Sequence, residues 1–216
     1  MINTIIFDMD GVIVDSEFHW RGVEEPFLKN LIPNSYEEYH KYIVGRSLSD
    51  IFLYLDSNFN LPINKEEFMD SYNKMAANIY EDKANLLPGV LDFIKLLKKE
   101  KFTLGLASSS PRLWINMAVN RFDLSHYFEK MISADETDCK GKPAPDIYLH
   151  ALKQLNKEPS ECIAIEDSKN GVISAKEAGI KCVGLKNGFN ENQDLNLSDL
   201  IIHGFEEMPF DVIRRL

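Results

Sequence analysis

Thr4-Ile5-Ile6-Phe7-Asp8-Met9-Asp10-Gly11-Val12-Ile13-Val14-Asp15-Ser16 is the stretch on which the reading of the chain turns. Thr4–Phe7 is a short apolar run of the kind that forms a fully buried strand. Asp8 and Asp10 stand at its C-terminal end, which in an open α/β sheet is where ligands bind. Side chains at i and i+2 share a strand face, so both carboxylates can address one site if the strand stays extended through them. Gly11 then lets the backbone leave in a turn that a Cβ would resist. Two carboxylates aimed at one spot repel each other, and need a cation between them or a proton on one. These residues suit a nucleophile and a general acid/base around Mg²⁺. The same residue types also make an ordinary acidic turn.

From Leu86 onward, helix-like and strand-like runs alternate. Pro88–Glu100, Pro111–Phe122, Pro145–Leu155 and Lys169–Ala178 read as helices, the last stopped by Gly179. Phe102–Ala107, Lys130–Ala134, Cys162–Ile165, Lys181–Leu185 and Leu200–His203 read as strands. These strands are continuous apolar runs without period two, which predicts a parallel sheet covered by helices on both faces. Residues 16 to 83 differ. Segments 16–30, 35–44, 47–56 and 64–82 carry helical spacing, with Ser47 and Asn64 as candidate caps, and the region is rich in Tyr and Phe. This stretch is expected to be an inserted all-helical unit, residues 16–83, between the two parts of an α/β core at 1–15 and 84–216. Its hinges are expected near 13–16 and 81–87.

At 216 residues the chain can bury a sizeable core without staples. Its net charge of −10 argues against nucleic acid and anionic membrane as general partners, while leaving a small anionic substrate open. No apolar run approaches a membrane span and no signal-peptide pattern opens the chain, so a cytoplasmic location is expected. The three cysteines, Cys139, Cys162 and Cys182, match no zinc spacing, and the latter two read as packing residues in strands. The five histidines form no metal-ligand spacing, and His19 alone lies near the candidate chemistry.

Three further polar clusters lie at or near strand ends. Ser108-Ser109 follows the second core strand, where a hydroxyl and helix-start N–H groups can cradle a phosphate; Ser108 or Ser110 could equally cap the helix that begins at Pro111. Lys142 stands in Gly141-Lys142-Pro143-Ala144-Pro145-Asp146, where two prolines stiffen the loop; it can grip a phosphoryl oxygen or lie solvated. Glu166-Asp167 precedes Ser168-Lys169-Asn170-Gly171 and can complete an oxygen shell for Mg²⁺, or simply favour a helix N-terminus. Together the clusters supply the parts for phosphoryl transfer through an aspartyl-phosphate.

In order and spacing, Asp8–Ser16, Ser108, the Gly-Lys-Pro-x-Pro-Asp lysine Lys142 and Glu166–Gly171 resemble the haloacid dehalogenase superfamily, in the branch of β-phosphoglucomutase and sugar-phosphate phosphatases with a helical cap. The resemblance covers nearly the whole chain. It implies a Rossmann-like core, a mobile helical cap, and Mg²⁺ held by Asp8, the Asp10 carbonyl, Asp167 and Glu166. It also implies Asp8 as nucleophile, Asp10 as acid/base, and Ser108, Ser109 and Lys142 as ligands of the transferring group. In the cap it points to Gly45, Arg46, Ser47 and His19 as substrate-facing residues.

The expected function is therefore a Mg²⁺-dependent phosphatase for a small phosphorylated metabolite, most simply a sugar phosphate, acting as a monomer or weak dimer. A β-phosphoglucomutase is the nearest alternative; a halide-removing hydrolase or a non-catalytic phospholigand binder fits less well. The family's mutases are expected to place an arginine just after a Gly-x-Ser in the cap loop and a histidine in the first cap helix. Here Leu48 follows Gly45-Arg46-Ser47, and Trp20 takes the expected histidine position, one residue beyond His19.

Overall fold

The structure is a computed structural model that describes residues 1–32, 48–136, 140–208, 210–213 and 216. Six strands build its sheet: β1 (Thr4–Phe7), β2 (Thr103–Ser108), β3 (Lys130–Ser133), β4 (Cys162–Glu166), β5 (Lys181–Leu185) and β6 (Leu200–Ile202). They lie in the order β3-β2-β1-β4-β5-β6, and every neighbouring pair is parallel. β1 sits between Leu104–Leu106 of β2 on one side and Ile163–Ile165 of β4 on the other. From β1 the chain winds outward through β2 and β3 in one direction and through β4, β5 and β6 in the other. The reversal leaves a crevice at the C-terminal end of β1, the place where such sheets bind ligands.

Alternate residues of each strand feed two cores, as a sheet covered on both faces requires. Ile5, Phe7, Leu104, Leu106, Ile163, Ile165 and Val183 face α4 (Val90–Lys99) and α5 (Arg112–Arg121). Ile6, Ala107, Ala164, Cys162 and Cys182 face α6 (Asp146–Leu155) and α7 (Lys169–Glu177). Both cysteines are free and buried, in keeping with a packing role. Cys139 lies outside the described residues.

The inserted region contains α1 (Ser16–Leu31), α2 (Leu48–Phe59) and α3 (Lys65–Ala77). Asn64 caps α3 in a reciprocal box: its side chain accepts from the Glu67 N–H at 3.0 Å, and the Glu67 carboxylate accepts from the Asn64 N–H at 2.9 Å. The expected helix at 35–44 and the expected cap Ser47 fall outside the described residues. One expectation is corrected. The stretch read as a single helix over 64–82 is α-helical only to Ala77 and continues as a π-helical turn over Asn78–Lys83. The Arg121 guanidinium of α5 takes two carbonyls of that turn, Tyr80 O at 3.2 Å and Asp82 O at 2.8 Å, which holds the wider turn against the core.

The two expected hinge segments run side by side. Asp15 N–H donates to Asn85 O at 3.0 Å, Asn85 N–H donates to Asp15 Oδ1 at 2.6 Å, and Leu87 N–H donates to Ile13 O at 2.9 Å. Beyond this tie the helical unit packs on α5, with the Trp20 and Trp114 rings 4.8 Å apart and Trp114 Nε1 donating to Asn73 Oδ1 at 2.9 Å.

Phe7 is the pivot of the core beneath the crevice, fully buried and edge-on to Phe93 and Phe128 at 6.2 and 6.0 Å. Phe7→Ala should lower unfolding free energy by about 3–5 kcal/mol in urea titration. A loss under about 1 kcal/mol would show that this packing does not carry the sheet's centre.

Candidate active site

β1 delivers Asp8 into the crevice. Its N–H still donates to Ile165 O at 3.0 Å, so β4 fixes its backbone. The strand does not stay extended through Asp10, as the i, i+2 reading supposed. Met9 O instead collects the N–H groups of Val12, Ile13 and Val14 at 3.3, 2.8 and 3.1 Å, closing a tight turn. Gly11 sits in that turn at φ +74°, and a Cβ there would overlap the Asp167 carboxylate. A Cβ on Gly171 would overlap the Glu166 carboxylate in the same way. Both motif glycines therefore make room for acids of the site.

Asp8, Glu166 and Asp167 are 7%, 0% and 2% exposed, and oxygens of the three lie within 4.8 Å of one another. Lys142, 7% exposed, is no solvated loop lysine: its Nζ lies 2.8 Å from Asp8 Oδ1 and 2.6 Å from Glu166 Oε1. It also donates to Ala107 O at 3.4 Å. The fully buried Tyr148 of α6 donates its O–H to Glu166 Oε1 at 2.5 Å and lies with its ring 5.5 Å from the ammonium. Asn187, just past β5, donates to Gly11 O at 2.7 Å and to Asp167 Oδ2 at 3.2 Å. Asn190 donates to Asp167 O at 2.6 Å and Leu185 O at 2.8 Å.

The electrostatics follow from three buried acids facing one buried base. Burial pushes the Asp8 carboxyl up from 3.8 to about 8; Lys142 opposes this, and Glu166 and Asp10 add to it. Burial and the charges of Glu17, Asp8 and Glu166 drive Asp167 well above the carboxylate range. Burial alone would lower Lys142, but Asp8 and Glu166 outweigh it and hold the ammonium charged. Lys142 is thus one cation too few for its neighbours. A cluster of hard oxygen donors with surplus negative charge fits a hard divalent cation such as Mg²⁺.

Asp10 lies beside this cluster, and its carboxylate is gripped by hydroxyls. Oδ1 accepts from Ser16 Oγ at 2.5 Å and Tyr80 OH at 2.6 Å; Oδ2 accepts from Ser110 Oγ at 2.7 Å and Ser108 Oγ at 3.5 Å. Ser108 is buried and its Oγ also accepts the Ser110 N–H at 3.0 Å, so it closes a local turn instead of capping α5. Ser109 is exposed at the same strand end. His19 is not among the carboxylates: its Nε2 lies 3.6 Å from Asp15 Oδ1, at the hinge. Gly45, Arg46 and Ser47 lie outside the described residues.

Tyr80, Tyr148, Asn187 and Asn190 join the site without any motif to announce them, and Ser110 was legible only as a helix cap. Asn187 alone had an available signal, since it is a polar residue two positions beyond a strand's C-terminal end.

A raised carboxyl pKa means that the folded state keeps a proton the unfolded chain has released. In cation-free protein the Asp8 contribution therefore costs stability as pH climbs from 3.8 towards about 8. Mg²⁺ would displace that proton. Mg²⁺ should raise the Tm of chelator-treated protein, and raise it more at the top of that pH window than at the bottom. An absent shift, or one that shrinks as pH rises, would contradict the cation fit.

Comparison with known proteins agrees with this geometry. A family model described as haloacid dehalogenase-like hydrolase matches residues 5–185. A phosphorylated carbohydrates phosphatase of Thermotoga maritima is 33% identical over 208 residues, covering 90% of this chain and 90% of that one. A beta-phosphoglucomutase of Bacillus subtilis is 29% identical over 224 residues, covering 98% and 94%. The crystal structure of CbbY from Rhodobacter sphaeroides in complex with phosphate overlays with a TM-score of 0.84 over 100% of both chains; at 24% identity this likeness speaks for the fold. By its family match and by relatives spanning most of both chains, this chain is an enzyme of the haloacid dehalogenase-like hydrolase family.

Proposed function

We propose that the protein is a Mg²⁺-dependent phosphatase of a small phosphorylated metabolite, a sugar phosphate in the first instance, working through an aspartyl-phosphate on Asp8. The observation that carries the reading is the buried Asp8, with Lys142 2.8 Å from its carboxylate and a second acid, Asp10, held beside it by hydroxyls. The Thermotoga maritima relative, named for phosphorylated carbohydrates, supports the substrate class.

In the first half-reaction an Asp8 oxygen attacks phosphorus in line with the leaving oxygen. The bond from phosphorus to the leaving oxygen breaks, and Asp10 gives that oxygen a proton. In the second, Asp10 takes a proton from water as the water oxygen attacks phosphorus. Phosphate leaves and Asp8 is restored. Lys142 balances charge on Asp8 and on the transferring group, while Ser108 and Ser109 offer hydroxyl and N–H groups to its oxygens. Asp8, Asp167, Glu166 and the Asp10 carbonyl would hold Mg²⁺, which supplies further neutralisation of the phosphoryl oxygens when bound.

Residues 16–83 act as a cap on the 1–15 and 84–216 core, and the paired segments at 13–16 and 81–87 are its hinges. Closure would exclude bulk water from the crevice. Gly45, Arg46, Ser47 and His19 are the cap's candidate substrate contacts.

The B. subtilis mutase keeps the alternative in play. A mutase must hold a bisphosphate while it turns round, and so needs a cationic grip in the cap. At the two positions where the family's mutases would carry arginine and histidine, Leu48 packs half-buried against the apolar core. Trp20 stacks near Trp114 and donates to Tyr80 OH at 3.2 Å. Both observations favour hydrolysis.

Asp8→Asn is nearly isosteric and should fold with the wild-type Tm while losing turnover of 4-nitrophenyl phosphate to background. Substantial activity in that variant, purified free of wild type, would remove Asp8 from the mechanism. Across a panel of hexose and pentose phosphates, phosphate release should far exceed interconversion of β-glucose 1-phosphate and glucose 6-phosphate. Interconversion primed by the bisphosphate and faster than release would instead establish the mutase.

A further inference from the structure

We propose that Tyr80 is a positioning residue for the proton transfer, holding the Asp10 carboxyl in the orientation from which it protonates the leaving oxygen. The proposal rests on the phosphatase reading above, in which Asp10 is the acid/base.

The observation is the contact of a fully buried phenol with one oxygen of a catalytic carboxylate. Tyr80 OH donates to Asp10 Oδ1 at 2.6 Å, across 70 residues of sequence. A carboxylate swings easily about its Cβ–Cγ bond unless both oxygens are engaged. Here both are, but the donors differ in stiffness. Ser16, Ser108 and Ser110 present short hydroxyls that rotate freely about their own Cβ–Oγ bonds. Tyr80 presents its O–H from a rigid ring whose place is set by neighbours: Trp114 at 6.1 Å and Trp20 at 6.3 Å between ring centres. Trp20 Nε1 also donates to the phenol oxygen at 3.2 Å, which leaves the Tyr80 proton pointing at Asp10.

The backbone beneath Tyr80 is fixed in the same way. The residue lies in the π-helical turn Asn78–Lys83, a local departure from helical geometry of the kind found at functional sites. Arg121 of α5 binds the Tyr80 carbonyl directly. A chain of contacts thus runs from a core helix through the π-turn and the phenol to Oδ1. Tyr80 exchanges no proton in the balanced reaction. Its work is geometric: a general acid must lie within about 2.6–3.2 Å of the oxygen it protonates, so loss of alignment weakens protonation of the leaving oxygen and, in the second half-reaction, proton removal from water.

This predicts a selective defect. Tyr80→Phe keeps the ring and removes the one O–H. A leaving group that must be protonated depends on Asp10, whereas a strongly acidic phenol departs as the anion without help. Turnover of phenyl, 4-nitrophenyl and 2,4-dinitrophenyl phosphate by the Mg²⁺-loaded full chain therefore reads the role. In kcat/KM, which reports the steps through departure of the leaving group and leaves out the shared attack of water, the variant should lose about tenfold to a hundredfold on phenyl phosphate and much less on 2,4-dinitrophenyl phosphate. Asp10→Asn should show the same selectivity more strongly. Adding Tyr80→Phe to Asp10→Asn should produce no further selective loss, since the phenol acts through that carboxyl.

A merely structural role would lower kcat/KM for all three substrates together, and so would partial unfolding; either result overturns the assignment of Tyr80 alone. A full additional selective loss in the double variant overturns it too, because Tyr80 would then act independently of Asp10. A wild-type chain that releases phosphate from none of the three esters would take down the phosphatase reading and this proposal with it.

Discussion

The arrangement of the whole molecule depends on a concentration of buried negative charge at the C-terminal end of β1. Asp8, Glu166 and Asp167 share a space too small for three free carboxylates, with Lys142 as the one ammonium among them in the described residues. Isolated buried charges of this kind are very costly unless paired and hydrogen-bonded. The protein meets the cost with Lys142, Tyr148 and Asn187, and the proposed divalent cation would meet the remainder. The same surplus of charge that strains the cation-free site would make it select a hard cation.

The fold supplies the place for this charge before it supplies any specificity. Sheet order reverses at β1, so the loops after β1, β2 and β4 diverge from one crevice. Each loop brings one part: the Asp8–Asp10 turn, the Ser108–Ser110 turn and the Glu166–Asp167 pair. Lys142 arrives from the segment that leads into α6, and α6 itself sends Tyr148 back to Glu166. Two glycines, Gly11 and Gly171, are spaces where the acids must fit. None of this machinery identifies a leaving group. On the proposed reading that choice would fall to the helical unit, which reaches Asp10 through Ser16 and Tyr80.

Much of this was legible in the sequence because buried parallel strands are written as unbroken apolar runs. The strands ending at Phe7, Ser108 and Glu166 place polar residues at their C-terminal ends, and position in such a sheet is close to function. Lys142 was legible from its stiff, proline-flanked loop. What was not legible came from contacts that sequence periodicity cannot express. Tyr80 looked like one more aromatic of a helical bundle; its role arises because the helix widens into a π-turn that an arginine far along the chain holds in place. Tyr148 sits on the buried face of an amphipathic helix and reads as core, which it is, apart from the hydroxyl. The extended course assumed for Asp8–Asp10 gave way to a turn because Met9 O gathers three N–H groups, an economy of backbone bonding invisible in residue type.

Phosphoryl transfer through Asp8, as proposed, is tested most directly by catching the group there. Acid quenching during Mg²⁺-supported turnover, followed by peptide mass spectrometry, should find one phosphoryl group on Asp8, labile to hydroxylamine as an acyl phosphate is. A phosphoryl group on any other side chain, or a burst of product with none on Asp8, would rule out Asp8 as the nucleophile.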